Sequence, residues 1–198
     1  DLDSYLGWAA NDAGGKVTPV RAVEVEKGCP YDCGLCQSHE RDGCCVLLEL
    51  TNRCNLRCPH CASDSGTSRC YEMSRTELQK VFHDLAELGC NTISMLGGEI
   101  LLRPDWYEVC QDAKVAGMDL QLITNGLLVN DEIRKKFLTL NPQTVCVSLD
   151  GATRETYKKQ RGVDGFNKCM ALLKQFSEDG FRQVNAITTF SSLNIHEF

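Results

Sequence analysis

The sequence predicts an α/β protein: a partial parallel (β/α) TIM-like barrel of about five βα units over residues 46–198, preceded by a small cysteine-rich metal-binding segment over residues 1–45. Three observations predict it. From Val46 onward, short β-branched or apolar runs alternate with longer stretches of helical periodicity, the pattern of parallel βαβ units. The polar, glycine-containing stretches follow successive strands, so they gather at the face where a parallel barrel builds its sites. Before Val46 the chain is rich in Gly, Cys and polar residues with little periodicity, as expected of a segment ordered around a metal.

The elements follow in order. VLLELT is the first strand. In SRTELQKVFHDLAELG, Ser74 with Glu77 three residues on forms a capping box, and Leu78, Val81, Phe82, Leu85 and Leu88 make one apolar face. Gly89 stands where a C-terminal glycine cap belongs. CNTISML is the second strand, PDWYEVCQDAKVAG a helix ending at Gly117, and LQLIT the third strand. DEIRKKFLTL is helical, TVCVSL is the fourth strand, FNKCMALLKQFSEDG is a helix closed by Gly180, and VNAITTF is the fifth strand. The charged stretch RETYKKQR, residues 154 to 161, reads as a solvated face.

Composition excludes several classes. Lys and Arg total 21 against 27 Asp and Glu, for a net charge of -6, with no basic run to follow a phosphate backbone, so nucleic acid is not an expected partner. The first residues have neither a basic nor an apolar targeting region, and no segment approaches the roughly 18 apolar residues of a membrane span. A soluble, cytoplasmic protein is expected. Thirteen cysteines without a secretory signal point to metal binding rather than a disulfide framework.

The spacing of those cysteines is more informative than their number. A C-x3-C-x2-C pattern occurs twice, as Cys54, Cys58 and Cys61 in TNRCNLRCPHC, and as Cys29, Cys33 and Cys36 in GCPYDCGLC. Three thiolates are one short of a closed tetrahedral site, the condition of a centre that keeps a position for another ligand. After the next three strands come Gly97-Gly98-Glu99, Thr124-Asn125-Gly126 and Ser148-Leu149-Asp150-Gly151. Four strands therefore aim special loops at one mouth.

CNLRCPHC, GGE, TNG and SLDG, in this order and spacing, resemble the radical S-adenosylmethionine (SAM) superfamily over residues 46 to about 195. The resemblance implies that Cys54, Cys58 and Cys61 ligate three irons of a 4Fe-4S cluster and leave the fourth to the amino and carboxylate groups of SAM. An electron from the cluster then splits the sulfonium C–S bond, and the 5′-deoxyadenosyl radical removes a substrate hydrogen atom. Gly97 and Gly98 would let main-chain carbonyls approach the SAM ammonium, and Glu99 would accept a hydrogen bond from it. Ser148 and Asp150 would face the ribose or carboxylate, Arg161 would offer its fork to the carboxylate, and Asn125 would line the mouth. Two positions depart from the family pattern: His60 replaces an aromatic near the adenine, and GGE is followed by Ile100 rather than proline. Family barrels have at least six strands, so a fragment of a longer chain, or one completed by a partner, is expected.

The segment GCPYDCGLCQSHERDGC resembles a subgroup containing archaeal tetraether-lipid synthases and proposed pterin methylases. That implies an auxiliary 4Fe-4S cluster on Cys29, Cys33, Cys36 and Cys44, with Cys45 or His39 as alternative fourth ligands and mononuclear iron or zinc as alternative metals. Cys110, Cys169, Cys90 and Cys146 read as core, Cys70 is unassigned, and His83 reads as solvated. The expected partners are a small-molecule, lipid or peptide substrate and an electron donor such as a ferredoxin or flavodoxin. The other readings are an iron-sulfur electron-transfer protein, which would not cleave SAM, and a zinc-stabilised interaction domain, which would be colourless.

Overall fold

The computed structural model describes residues 44–67 and 71–197. Cys29, Cys33, Cys36, His39 and Cys70 lie outside the described residues, and only the backbone of Cys44 is described. Five strands, β1 (Cys44–Glu49), β2 (Cys90–Leu96), β3 (Asp119–Thr124), β4 (Thr144–Ser148) and β5 (Val184–Ile187), form one all-parallel sheet in the order β1-β2-β3-β4-β5. Spatial order equals chain order. Every strand therefore ends at the same edge, and the loops that follow the strands share it.

The register explains the two faces. Met95 pairs with Leu122, Leu122 with Val145, and Val145 with Val184. Because side chains alternate along a strand, Ile93 and Met95, Leu120 and Leu122, and Val145 and Val147 all turn to the helix layer and are buried there. Polar pairs stand at the intervening positions: the Ser94 hydroxyl donates to Gln121 Oε1 at 2.7 Å, and Thr144 donates to Gln183 Oε1 at 3.0 Å. The helices are α1 (Arg75–Glu87), α2 (Trp106–Val115), α3 (Asp131–Leu140), α4 (Arg154–Arg161) and α5 (Phe166–Glu178). Trp106 meets Phe137 edge to face and Phe137 stacks on Phe176, with centroids 5.5 and 5.8 Å apart, and these contacts tie α2, α3 and α5 together. Among the described residues no helix is long and apolar enough to cross a membrane.

The α1 capping box forms as expected: Ser74 Oγ accepts from Glu77 N at 3.3 Å, and Glu77 accepts from Ser74 N at 2.8 Å. Leu78 and Phe82 are buried, but Leu88 is 59% exposed. The helix ends at Glu87, so Leu88 lies past the last turn and leaves the apolar stripe. The other departure is RETYKKQR, which is the helix α4. Thr153 caps its N-terminus, and Thr156, Tyr157 and Gln160 are buried on one side while Arg154, Glu155, Lys158 and Lys159 face solvent. One aromatic residue in a run of charges carries the buried stripe, so the periodicity is too faint to read.

Candidate active site

The loop after β1 is held by backbone bonds at both ends. Gly98 N donates to Thr51 O and Glu99 N to Arg53 O, both at 2.8 Å. Gly66 N donates to Asn52 O at 2.7 Å and Cys54 N to Gly66 O at 3.3 Å, which folds the loop back on itself. The glycine pair is needed for this contact. A Cβ on Gly97 would sit 2.4 Å from Thr51 O, and one on Gly98 would sit 2.3 Å from Arg53 O. The space expected for a ligand's approach is thus first used by the chain's own backbone.

Cys54, Cys58 and Cys61 line one cavity of about 290 Å³ at the C-terminal ends of the strands, together with His60, Gly97, Gly98, Asn125, Ser148 and Arg161. Cys54 Sγ accepts from Leu56 N at 3.4 Å, and Cys61 Sγ accepts from Ser65 N at 3.3 Å. Arg161 Nη1 approaches Cys58 Sγ at 3.8 Å. Burial raises the Cys54 and Cys58 thiols, with Arg161 opposing it at both. Burial also acts on Cys61, but hydrogen bonds from Ser65 and Ser63 together outweigh it and lower that thiol. A thiolate that accepts amide hydrogen bonds is prepared as a metal ligand.

The size of the centre can be tested against the thiols. One tetrahedral zinc with Zn–S near 2.3 Å would bring its ligand sulfurs to about 3.8 Å from one another. Among the described residues, only His83, Asp84 and Glu87 place three ligand atoms all within 4.8 Å of one another, and the three thiols do not. His60 also has both ring nitrogens facing other oxygens, with Nδ1 3.0 Å from Gln160 O and Nε2 3.1 Å from Asp150 Oδ2. With both nitrogens engaged, His60 does not close the three thiols into a four-ligand site in this arrangement. His83, Asp84 and Glu87 are exposed on α1, consistent with a solvated histidine.

Glu99 and Asp150 lie just behind the cavity wall. Glu99 is buried and accepts from Thr124 Oγ1 at 2.8 Å, Asn125 N at 2.7 Å and Leu101 N at 3.3 Å. A carboxylate has about four acceptor sites, so one remains for another donor. Burial raises this carboxyl against the three hydrogen bonds. Asp150 is also buried. Its Oδ1 accepts from Thr189 N at 2.7 Å, and its Oδ2 lies 2.5 Å from Arg161 Nε, a close ion pair without good hydrogen-bond alignment. Asp150 therefore orients His60 and Arg161 rather than lining the cavity. Asn125 Nδ2 donates to Asn55 Oδ1 at 2.8 Å, joining the third loop to the first.

Thr189 lines the cavity and was not foreseen, although it follows β5 as the other site loops follow their strands. Cys90, Cys110, Cys146 and Cys169 are buried, and burial pushes the Cys110 thiol up to about 12. Cys169 also bonds Tyr157 Oη and the Asn125 carbonyl, each at 3.4 Å, so it braces the third loop from below. Cys45 is exposed, with its sulfur 3.5 Å from Ser94 Oγ.

A family model described as the Radical SAM superfamily matches residues 48–198. The 7,8-dihydro-6-hydroxymethylpterin dimethyltransferase of Methanocaldococcus jannaschii is 32% identical over 194 residues, 96% of this chain and 38% of that protein. The AdoMet-dependent heme synthase of Methanosarcina barkeri is 36% identical over 155 residues, 77% of this chain and 44% of that protein. In structure, Streptococcus suis SuiB bound to S-adenosylmethionine superposes with a TM-score of 0.66 at 20% identity, covering 78% of this chain and 36% of that one. The same enzyme bound to its precursor peptide SuiA gives 0.66 at 19% identity, over 76% and 34% of the two chains. These likenesses show a shared fold. The chain spans less than half the length of the relatives named here.

Proposed function

Because the chain belongs to the radical SAM superfamily, we propose that Cys54, Cys58 and Cys61 hold a 4Fe-4S cluster that binds SAM and starts radical chemistry on an organic substrate. The observation that carries this reading is the convergence of the three thiols, the glycine loop, Ser148 and Arg161 on one cavity. When bound, such a cluster supplies the electron that cleaves the sulfonium C–S bond of SAM to a 5′-deoxyadenosyl radical.

The chain's own residues divide the remaining work. Leu56 N and Ser65 N stabilise two cysteine thiolates through hydrogen bonds. Arg161, held by Asp150, has further N–H groups for the SAM carboxylate. Glu99, behind the cavity wall, fixes Thr124 and Asn125 and so supports the loops against which SAM would lie, rather than meeting its ammonium directly as the sequence suggests. Gly97 and Gly98 leave the cavity wall without side chains, Ser148 offers a hydroxyl to the ribose or carboxylate of SAM, and His60 offers a planar ring. Leu96 and Ile123 give the cavity an apolar floor that helps exclude water.

The same reading gives the sequence before the barrel an auxiliary iron-sulfur site on Cys29, Cys33 and Cys36 with Cys44, Cys45 or His39 as fourth ligand, or mononuclear iron or zinc on the same thiols, and the barrel itself begins with β1 at Cys44 rather than at Val46. Thirteen cysteines fit a reducing compartment, hence the cytoplasm, and a ferredoxin or flavodoxin as donor. The substrate is a small molecule, a lipid or a peptide. The test is release of 5′-deoxyadenosine from SAM by the anaerobically reconstituted chain under a strong reductant. Release dependent on Cys54, Cys58 and Cys61 supports the reading, and a brown, iron-replete protein that leaves SAM intact favours plain electron transfer.

A further inference from the structure

We propose that Asn194 and Glu197 are positioning residues of this site: they fasten the loop after β4 and helix α4, and so hold Asp150 and Arg161 in place beside Cys58. The inference rests on the SAM reading above and extends it to a segment that had no part in it.

Asn194 is 0% exposed, although its neighbours Leu193 and Ile195 are 47% and 58% exposed. Its amide is bonded at both ends. Oδ1 accepts from Ser191 N at 2.7 Å, and Nδ2 donates to Thr189 O at 2.8 Å and to Asp150 O at 3.4 Å. A buried amide with partners on two different loops is a cross-brace, because leaving any of those groups unpaired is costly. It joins the loop after β4 to the segment after β5. The Thr189 N–H in turn donates to Asp150 Oδ1, so the brace sets where that carboxylate points.

Glu197 acts on α4 from its N-terminal end. Its Oε2 accepts from Ala152 N at 2.8 Å, and its Oε1 accepts from Thr153 Oγ1 at 3.1 Å and Thr156 Oγ1 at 2.6 Å. Thr153 is the helix cap and Thr156 lies in the first turn, so a carboxylate from the C-terminal segment sits where the helix dipole favours negative charge. The other end of α4 carries the site. Gln160 gives its carbonyl to His60 and its side-chain amide to Ser191 Oγ at 2.7 Å, and the next residue is Arg161. Neither Asn194 nor Glu197 lines the cavity. Their effect reaches SAM through Asp150 and Arg161.

Three variants of the full chain test this. Asn194→Asp keeps the size of the side chain but turns an acceptor toward two carbonyls. Glu197→Ala removes all three bonds, and Glu197→Gln keeps one oxygen for the threonine hydroxyls. Ser74→Ala, at the cap of α1, serves as a control for general destabilisation. Each reconstituted protein is measured for iron per chain, melting temperature and SAM affinity by equilibrium dialysis. Asn194→Asp and Glu197→Ala should retain wild-type iron and bind SAM about five- to hundredfold more weakly, with Glu197→Gln recovering part of the loss. Ser74→Ala should bind SAM as the wild type does. Unchanged affinity in the first two variants overturns the proposal, as does equal weakening in the control or loss of iron along with affinity. Absence of SAM binding in the wild type overturns the reading of the site and the positioning role with it.

Discussion

Replacing Gly98 by alanine adds one methyl group at the closest backbone contact of the site. The new Cβ would lie 2.3 Å from Arg53 O, 2.7 Å from Arg53 C and 2.9 Å from Asn52 O, all backbone atoms that cannot swing aside. The two loops must separate, which strains the Gly98 N to Thr51 O and Glu99 N to Arg53 O bonds. Overpacking costs about 1–3 kcal/mol, and weakening two hydrogen bonds adds about 1 kcal/mol each at most, so a loss of about 1–5 kcal/mol is expected. Gly89→Ala is the contrast, because nothing lies within 4 Å of its Cβ and only the positive φ of 79° opposes alanine. It should cost about 1 kcal/mol. Urea unfolding followed by circular dichroism measures both, and iron content reports the cysteine loop, since Arg53 precedes Cys54. Gly98→Ala should be the less stable variant and the one short of iron. If it matched Gly89→Ala in stability and kept full iron, the close contact would not be what fixes these glycines.

Other outcomes follow from the same geometry. Burial raises the Glu99 carboxyl, so its contribution to stability is fully present below the ordinary glutamate value of about 4.3 and is lost as pH rises through its folded value. Glu99→Gln should flatten that part of the pH profile in urea midpoints, and an unchanged slope would count against a buried carboxylate. Arg161 Nη1 lies 3.8 Å from Cys58 Sγ, so Arg161→Gln should move the midpoint potential of the SAM-free cluster to more negative values in an electron paramagnetic resonance (EPR) titration. A potential that does not move would remove Arg161 from the electrostatics of the cluster. Alanine at Cys54, Cys58 and Cys61 together should remove about half the iron and all SAM cleavage, leaving the N-terminal site. Full iron content would refute the ligand assignment.

The strands were legible because each carries a compact β-branched or apolar run between turn residues; CNTISML spans β2 without error. The site loops were legible for a related reason, as their glycines and cysteines interrupt an otherwise regular alternation. Helix α4 was not. Its buried side depends on Tyr157 among charged neighbours, and Gln160 is buried by its bonds rather than by being apolar. The partners of Glu99 and Asp150 were also hidden, because each is fixed by a residue 25 or more positions away in sequence. A carboxylate beside a glycine pair reads as a ligand to something outside the chain, and only the packed loops reveal how much of its bonding capacity the fold itself uses. Asn194 gave no signal at all, since an asparagine in a polar tail ordinarily faces water.

The most direct test of the account is the EPR spectrum of the anaerobically reconstituted, reduced chain before and after SAM is added. A cluster on Cys54, Cys58 and Cys61 with a position open to SAM predicts a 4Fe-4S signal whose shape changes on SAM addition, and no such SAM-responsive signal when the three cysteines are alanine. A cluster spectrum indifferent to SAM, or a SAM-responsive signal that survives in the triple variant, would contradict it.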